Sequence, residues 1–184
     1  MMTVKETNLK DCYILEPNVI GDKRGYFLES YNKTKFDELI GQKIEFIQDN
    51  EAKSSKGVLR GLHFQMPPYS QAKLVRVTKG KVLDVVVDLR KSSSTYLKHE
   101  AIILSSKNKK QLFVPRGFAH GYVVLSKTAV FAYKVDNQYS PQSDNGIIWN
   151  DEDLGIDWRV NQEELVISDK DKNQQKLSNF NSPF

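Results

Sequence analysis

An all-β sandwich or jelly roll is the fold class that these 184 residues predict. Most apolar segments are short, rich in Val, Ile, Phe and Tyr, and bounded by turn residues, as strands are. They recur at a spacing of about ten residues, which suits stacked or rolled sheets better than alternating βαβ units. Helical signals are scarce. In chain order, CYILEP and YFLESY read as strands, followed by the best helix, NKTKFDELIG. There Asn32 is a cap, Phe36, Leu39 and Ile40 follow helical spacing, and Gly41 is a stop. IEFIQ and GVLRGLHF come next as strands. KLVRVT and KVLDVVVDL read as a hairpin with a two-residue turn at Lys79-Gly80. EAIIL, LFVP, GYVVL, AVFAYKV and GIIWN complete the strand set.

The length suits one domain with a sizeable core, residues 1–184, and is short for two. Hydrophobic residues make up 39% and charged residues 27%, the balance of a soluble globular chain. No run approaches the roughly 18 apolar residues that span a membrane. The opening MMTVKETNLKD carries charges where a signal peptide needs an apolar core, so the expected setting is the cytoplasm. The single Cys12 forbids an internal disulfide and fits a reducing compartment. A net charge of +4 is spread along the chain. Its densest basic cluster, SSKNKKQ, lacks interleaved aromatics and reads as a solvated loop, so no nucleic-acid partner is expected.

Which residues could carry chemistry? His63, His99 and His120 stand alone, without the His-x-His pair that metal-dependent jelly-roll enzymes use, so no metal is expected. His99 reads as a surface residue. Cys12 has no neighbouring histidine, and neither a nucleophile elbow nor a phosphate-cradling glycine loop occurs. Acid–base chemistry by His, Tyr, Lys and Asp remains, with arginines for anions. In KVLDVVVDL, Val82, Asp84, Val86 and Asp88 share one face, so a mid-strand carboxylate is either solvent-facing or paired inside a barrel cavity. Asp84 is the better candidate for the cavity. On a regular strand Arg60 and His63 point to opposite faces. Gly61 permits a bulge that turns both toward one cavity, against the simpler reading of a core histidine beside a surface arginine.

GVLRGLHFQ, read with GDKRGYFLES, FIQDNEAKSS, KLVRVTKGKVLDVVVDLRKSSSTY, PRGFAHGYVVLS and YKVDNQYSPQSDNGIIWNDEDLGIDW, resembles the dTDP-4-dehydrorhamnose 3,5-epimerase family. The segments run in order from about Leu15 to Asp171, at family spacing. The resemblance implies a cupin-like jelly-roll barrel, a homodimer, no metal and no organic cofactor. It also implies a substrate, a dTDP-linked 4-keto-6-deoxy sugar, inverted at carbons 3 and 5 on the way to dTDP-L-rhamnose. On that resemblance His63 is the general base, Tyr133 the general acid and Lys73 the contact for the keto oxygen. Asp171 pairs with the base, with Asp169 as the alternative. His120 lines the sugar pocket, and Arg24 and Arg60 meet the pyrophosphate. Phe27, Glu29, Gln48, Asp49, Asn50, Tyr139, Asp144 and Lys170 fall at nucleotide- or substrate-contacting positions. Asp144 stands where the family has a glutamate, and Ala72 where it has a glycine.

The implied chemistry fits these residue types. Carbons 3 and 5 flank the ketone, so each C–H is acidified by a possible enolate. A histidine with pKa of about 6.5 can remove such a proton at neutral pH. A carboxylate on its other nitrogen fixes the tautomer, and a fixed cation can hold the enolate oxygen. A phenol on the opposite side can deliver the proton that completes inversion. Two alternatives remain at this level. One is a mono-epimerase acting on a related NDP-4-keto sugar, the other a non-catalytic nucleotide-sugar-binding module.

Overall fold

The computed structural model describes residues 2–184. β1 (Thr3–Glu6) and β2 (Tyr13–Glu16) pair at the start, and β3 (Val19–Asp22) and β4 (Gly25–Leu28) form an exposed ribbon of their own. Helix α1 (Lys33–Ile40) follows. The main strands are β5 (Gln48–Ser55), β6 (Val58–Gln65), β7 (Lys73–Lys79), β8 (Lys81–Asp88), β9 (His99–Ser105), β10 (Gln111–Val114), β11 (Phe118–Val124) and β12 (Thr128–Val135). β13 (Asp144–Gly146), β14 (Val166–Ile167) and the short helix α2 (Asp169–Lys172) come last. One sheet runs β1-β2-β10-β7-β12-β5 and the other β13-β6-β11-β8-β9, with β14 parallel to the start of β6. The result is the jelly roll that the strand spacing predicts. Among the described residues, no helix is long and apolar enough to cross a membrane.

β8 shows how the core is divided. Val82 and Val86 face Val75, Val77 and Phe131 of the opposite sheet. Leu83, Val85, Val87 and Leu89 face the other way, against Leu59, Leu62 and Trp158. Because both faces are covered, Asp84 and Asp88 are fully buried rather than solvent-facing. Asp88 is neutralised by Arg90 at 2.9 Å and accepts hydrogen bonds from Ser93 and Thr95. Helix α1 covers the outer face of the first sheet. The Asn32 side chain accepts from the Lys35 N–H, and Gly41 ends the helix in the left-handed region. Eight residues make a marginal helix alone. Burial of Phe36 and Ile40 against Leu74 and Phe113, about 1.5–3 kcal/mol per side chain, holds it in position.

Four expectations need correction. β7 and β8 do not form a hairpin: they lie in different sheets, and Gly80, at φ 81°, carries the chain between them. A Cβ there would sit 2.1 Å from the Thr128 carbonyl, so the crossing depends on glycine. IEFIQ is irregular up to Ile47, because Ile44 and Phe46 pack into the α1 cluster; the strand that follows is the polar QDNEAKSS. That strand is an edge, and its charged outward side chains discourage further pairing. In GIIWN only Gly146 belongs to a strand, while Ile147 is buried and makes a lone bridge to Gln175. His99 is not in a polar connection but opens β9, where it is half-buried.

Candidate functional site

The site begins with an irregularity in β6. His120 pairs with His63 and Tyr122 with Arg60, so three residues of β11 oppose four of β6. Gly61 sits at this bulge with φ 135°, and a Cβ on it would come within 2.5 Å of the Gly121 Cα. The extra residue turns Arg60 and His63 toward the same cavity, as the glycine suggests. That cavity, about 220 Å³, lies between the sheets and is lined by Arg60, His63, Lys73, His120, Tyr122 and Tyr133, among others. The two histidines come from the second sheet, whereas Lys73 and Tyr133 come from the first.

His63 is held from behind. Its Nε2–H donates to Asp171 Oδ1 at 2.5 Å, and Asp171 is itself fixed at the start of α2 by the Ser168 cap. Burial would raise the Asp171 carboxyl, but the His63 hydrogen bond and charge outweigh it and hold the group below the usual carboxylate range. An ionised Asp171 can only accept, which leaves His63 Nδ1 as the basic nitrogen. Of the two aspartates considered, Asp171 is buried against the histidine and Asp169 is exposed.

A second pair stands beside it. His120 Nε2–H donates to both oxygens of Asp84 at 3.0 Å each, so Asp84 takes the paired position inside the barrel. Burial raises the Asp84 carboxyl, opposed by His120 and Lys73. Burial likewise drives the Lys73 ammonium down to about 8, although Asp84 and Asp144 favour its charged form. Tyr133 moves the other way: burial and the Tyr122 phenol raise its pKa against the pull of Arg60. The cavity therefore offers the histidine nitrogen that Asp171 leaves unbonded and, at neutral pH, a mostly charged lysine and a protonated phenol. This set can remove a carbon acid's proton, hold the resulting oxyanion and return a proton from the facing sheet.

The remaining predicted residues lie in other groups. Tyr139 donates to Asp144 at 2.9 Å, and Lys170 pairs with the same carboxylate. This cluster is tied to the cavity strand, because Asp144 and Gly146 of β13 pair with Gln65 and His63. Gln48 donates to Asn50, and Asp49 pairs with Lys134. Asp49 and Asn50 line a separate cleft of about 450 Å³ that also meets Tyr133. Arg24 and Phe27 do not reach the His63 cavity within this chain. Arg24 pairs with Asp22 on the exposed β3–β4 ribbon, Phe27 is 68% exposed, and Glu29 pairs with Lys35. Cys12 is buried and its thiol is pushed up to about 12, far from nucleophilic use. Among the described residues, no cluster of three or more His, Cys, Asp or Glu forms a potential metal site.

Tyr122, Phe131 and Ala52 also line the cavity, and none of them stands out in the sequence. The signal for Tyr122 is its phase: it is two residues beyond His120 on β11, so both side chains point inward.

Comparison with known proteins is consistent throughout. A family model described as dTDP-4-dehydrorhamnose 3,5-epimerase matches residues 6–179. The dTDP-4-dehydrorhamnose 3,5-epimerase of Shigella flexneri is 52% identical over 176 residues, covering 96% of each chain. A crystal structure of the enzyme of that name from Elizabethkingia anophelis NUHP1 superposes with a TM-score of 0.93 at 52% identity, covering 96% of this chain and 97% of that one. The dTDP-6-deoxy-D-glucose-3,5-epimerase of Legionella pneumophila Philadelphia 1 was solved in complex with dTDP-4-keto-L-rhamnose. It superposes with a TM-score of 0.94 at 42% identity, covering 98% of this chain and 95% of that one.

Proposed function

This chain belongs to the dTDP-4-dehydrorhamnose 3,5-epimerase family, and we propose that its His63 cavity inverts carbons 3 and 5 of dTDP-4-dehydro-6-deoxyglucose. The observation that carries this reading is the His63–Asp171 dyad facing Tyr133 and Lys73 across one cavity. His63 Nδ1 takes the proton from carbon 3, and the electron pair moves onto the carbon-4 oxygen. The Lys73 ammonium stabilises that enolate, and Asp171 steadies the imidazolium. Tyr133 then gives its proton to the opposite face of carbon 3, and the phenolate is re-protonated from solvent. His63 releases its proton, and the same steps follow at carbon 5. No redox partner is needed, because one C–H bond breaks and one forms at each carbon. Incubation with this substrate and assignment of the product by NMR tests the reading; substrate recovered unchanged would contradict it.

Lys73 gives the reaction a direction in pH. The cationic form is the one that holds an enolate, so activity is present below its pKa and lost as pH rises through it. kcat/KM should fall above about pH 8, roughly tenfold per pH unit once the lysine is neutral. A profile flat to pH 10 would remove Lys73 from this role.

The diphosphate is assigned to Arg60, whose guanidinium fork matches paired phosphoryl oxygens. Tyr139, Asp144 and Lys170 at the neighbouring cluster, and Gln48, Asp49 and Asn50 on β5, are assigned to the rest of the nucleotide sugar. Arg24, Phe27 and Glu29 join them only if a second copy supplies its ribbon, so the active form is read as a homodimer. Ile20, Tyr26 and Phe27, each more than half exposed on that ribbon, support such a contact. Sedimentation that finds only monomer under assay conditions would exclude it. The two sheets enclose one shared core, which supports residues 1–184 as a single domain. A cytoplasmic setting fits the lone buried thiol.

A further inference from the structure

Tyr122 is 5% exposed, yet its hydroxyl has no hydrogen-bond partner among the described residues. Buried phenols ordinarily find one, so an unpaired hydroxyl on a cavity wall calls for an explanation. Its direction is not accidental. The ring lies flat on Phe131 of the facing sheet, with centroids 4.2 Å apart and planes within 13°. That stack fixes the phenol beside Arg60, its cross-strand partner, in the same cavity. Burial raises the Tyr122 pKa, while polar interaction with Ser54 and Arg60 pulls it down; both lie close to the hydroxyl, yet neither meets hydrogen-bond geometry with it.

Arg60 is also incompletely used. Its Nε–H donates to Ser54 Oγ at 3.2 Å, and among the described residues its outer nitrogens have no partner. The guanidinium is thus anchored at one end and open at the other. Next to that open end stands a phenol whose hydroxyl makes no well-formed hydrogen bond. Two adjacent unpaired donors complement an oxygen-rich anion.

We propose that the Tyr122 hydroxyl donates a hydrogen bond to a phosphoryl oxygen of the bound nucleoside diphosphate, beside Arg60. Tyr122 is then a binding residue that its stack on Phe131 holds preorganised. The proposal rests on Arg60 as the diphosphate contact.

Tyr122→Phe tests it, because the ring and its stack on Phe131 are kept and only the hydroxyl goes. Isothermal titration with dTDP should show Kd rising about tenfold or more, the usual worth of a hydrogen bond to a charged group. KM for the 4-keto sugar nucleotide should rise by a similar factor with a smaller change in kcat. The ligand-free variant should melt at the wild-type temperature or above it, since an unsatisfied buried donor has been removed. Unchanged dTDP affinity would overturn the proposal, even if KM rose, since the hydroxyl would then meet the sugar. A lower melting temperature with unchanged Kd would also overturn it, in favour of a structural hydroxyl. Because dTDP binding is read without turnover, a failure of catalysis in the wild-type protein would be seen separately.

Discussion

Replacing His63 with Asn should abolish both proton exchange and epimerisation, by about 10²–10⁴-fold for a general base. Asn is preferable to Ala for a structural reason. Asp171 is 3% exposed and hydrogen-bonded to His63 at 2.5 Å, so Ala would strand a buried carboxylate. Losing one member of such a pair can cost about 3–5 kcal/mol and blur loss of catalysis with loss of fold. An Asn amide can still donate toward Asp171 but cannot take a proton at neutral pH. The variant should bind dTDP with near wild-type affinity while deuterium exchange at carbons 3 and 5 disappears. Exchange at the wild-type rate would remove His63 as the base.

Tyr133→Phe should separate exchange from inversion. The variant keeps the aromatic ring and its contact with Phe131, at 6.1 Å between centroids, and loses only the proton it could deliver. His63 can still remove a proton and return a deuteron to the same face. Carbon 3 should therefore continue to acquire label while the doubly inverted product falls by about 10²-fold or more. Wild-type yield of that product would exclude Tyr133 as the acid. Loss of exchange as complete as in the His63 variant would show that the two roles cannot be divided in this way.

How far the sequence leads depends on whether a feature is local. Helix α1 was legible because a cap, an apolar spacing and a terminal glycine all lie within ten residues. The bulge at Gly61 was legible as a possibility, since glycine between Arg60 and His63 admits it, but only pairing with β11 decides it. Lys79-Gly80 misled for the same reason in reverse. A two-residue glycine turn suits a hairpin, and only the sheet partners of β7 and β8 reveal a crossing between sheets. β5 was hidden because an edge strand with charged outward residues has little apolar alternation to read. Asp84 could be narrowed to two positions because it stands mid-strand among valines. The choice between them needed the His120 partner from β11 and the cover that buries both faces of β8. Asp171 and Tyr133 entered through family resemblance, since nothing across a separation of 108 positions links Asp171 to His63. Tyr122 escaped notice within GYVVL, where an aromatic reads as ordinary core.

The central claim is that one cavity breaks and remakes the C–H bonds on both sides of the ketone. Incubating the wild-type protein with dTDP-4-dehydro-6-deoxyglucose in deuterated buffer, and reading the product by NMR, tests it most directly. The mechanism predicts solvent deuterium at both carbon 3 and carbon 5, each with inverted configuration. Inverted product without label, or label and inversion confined to one carbon, would contradict it.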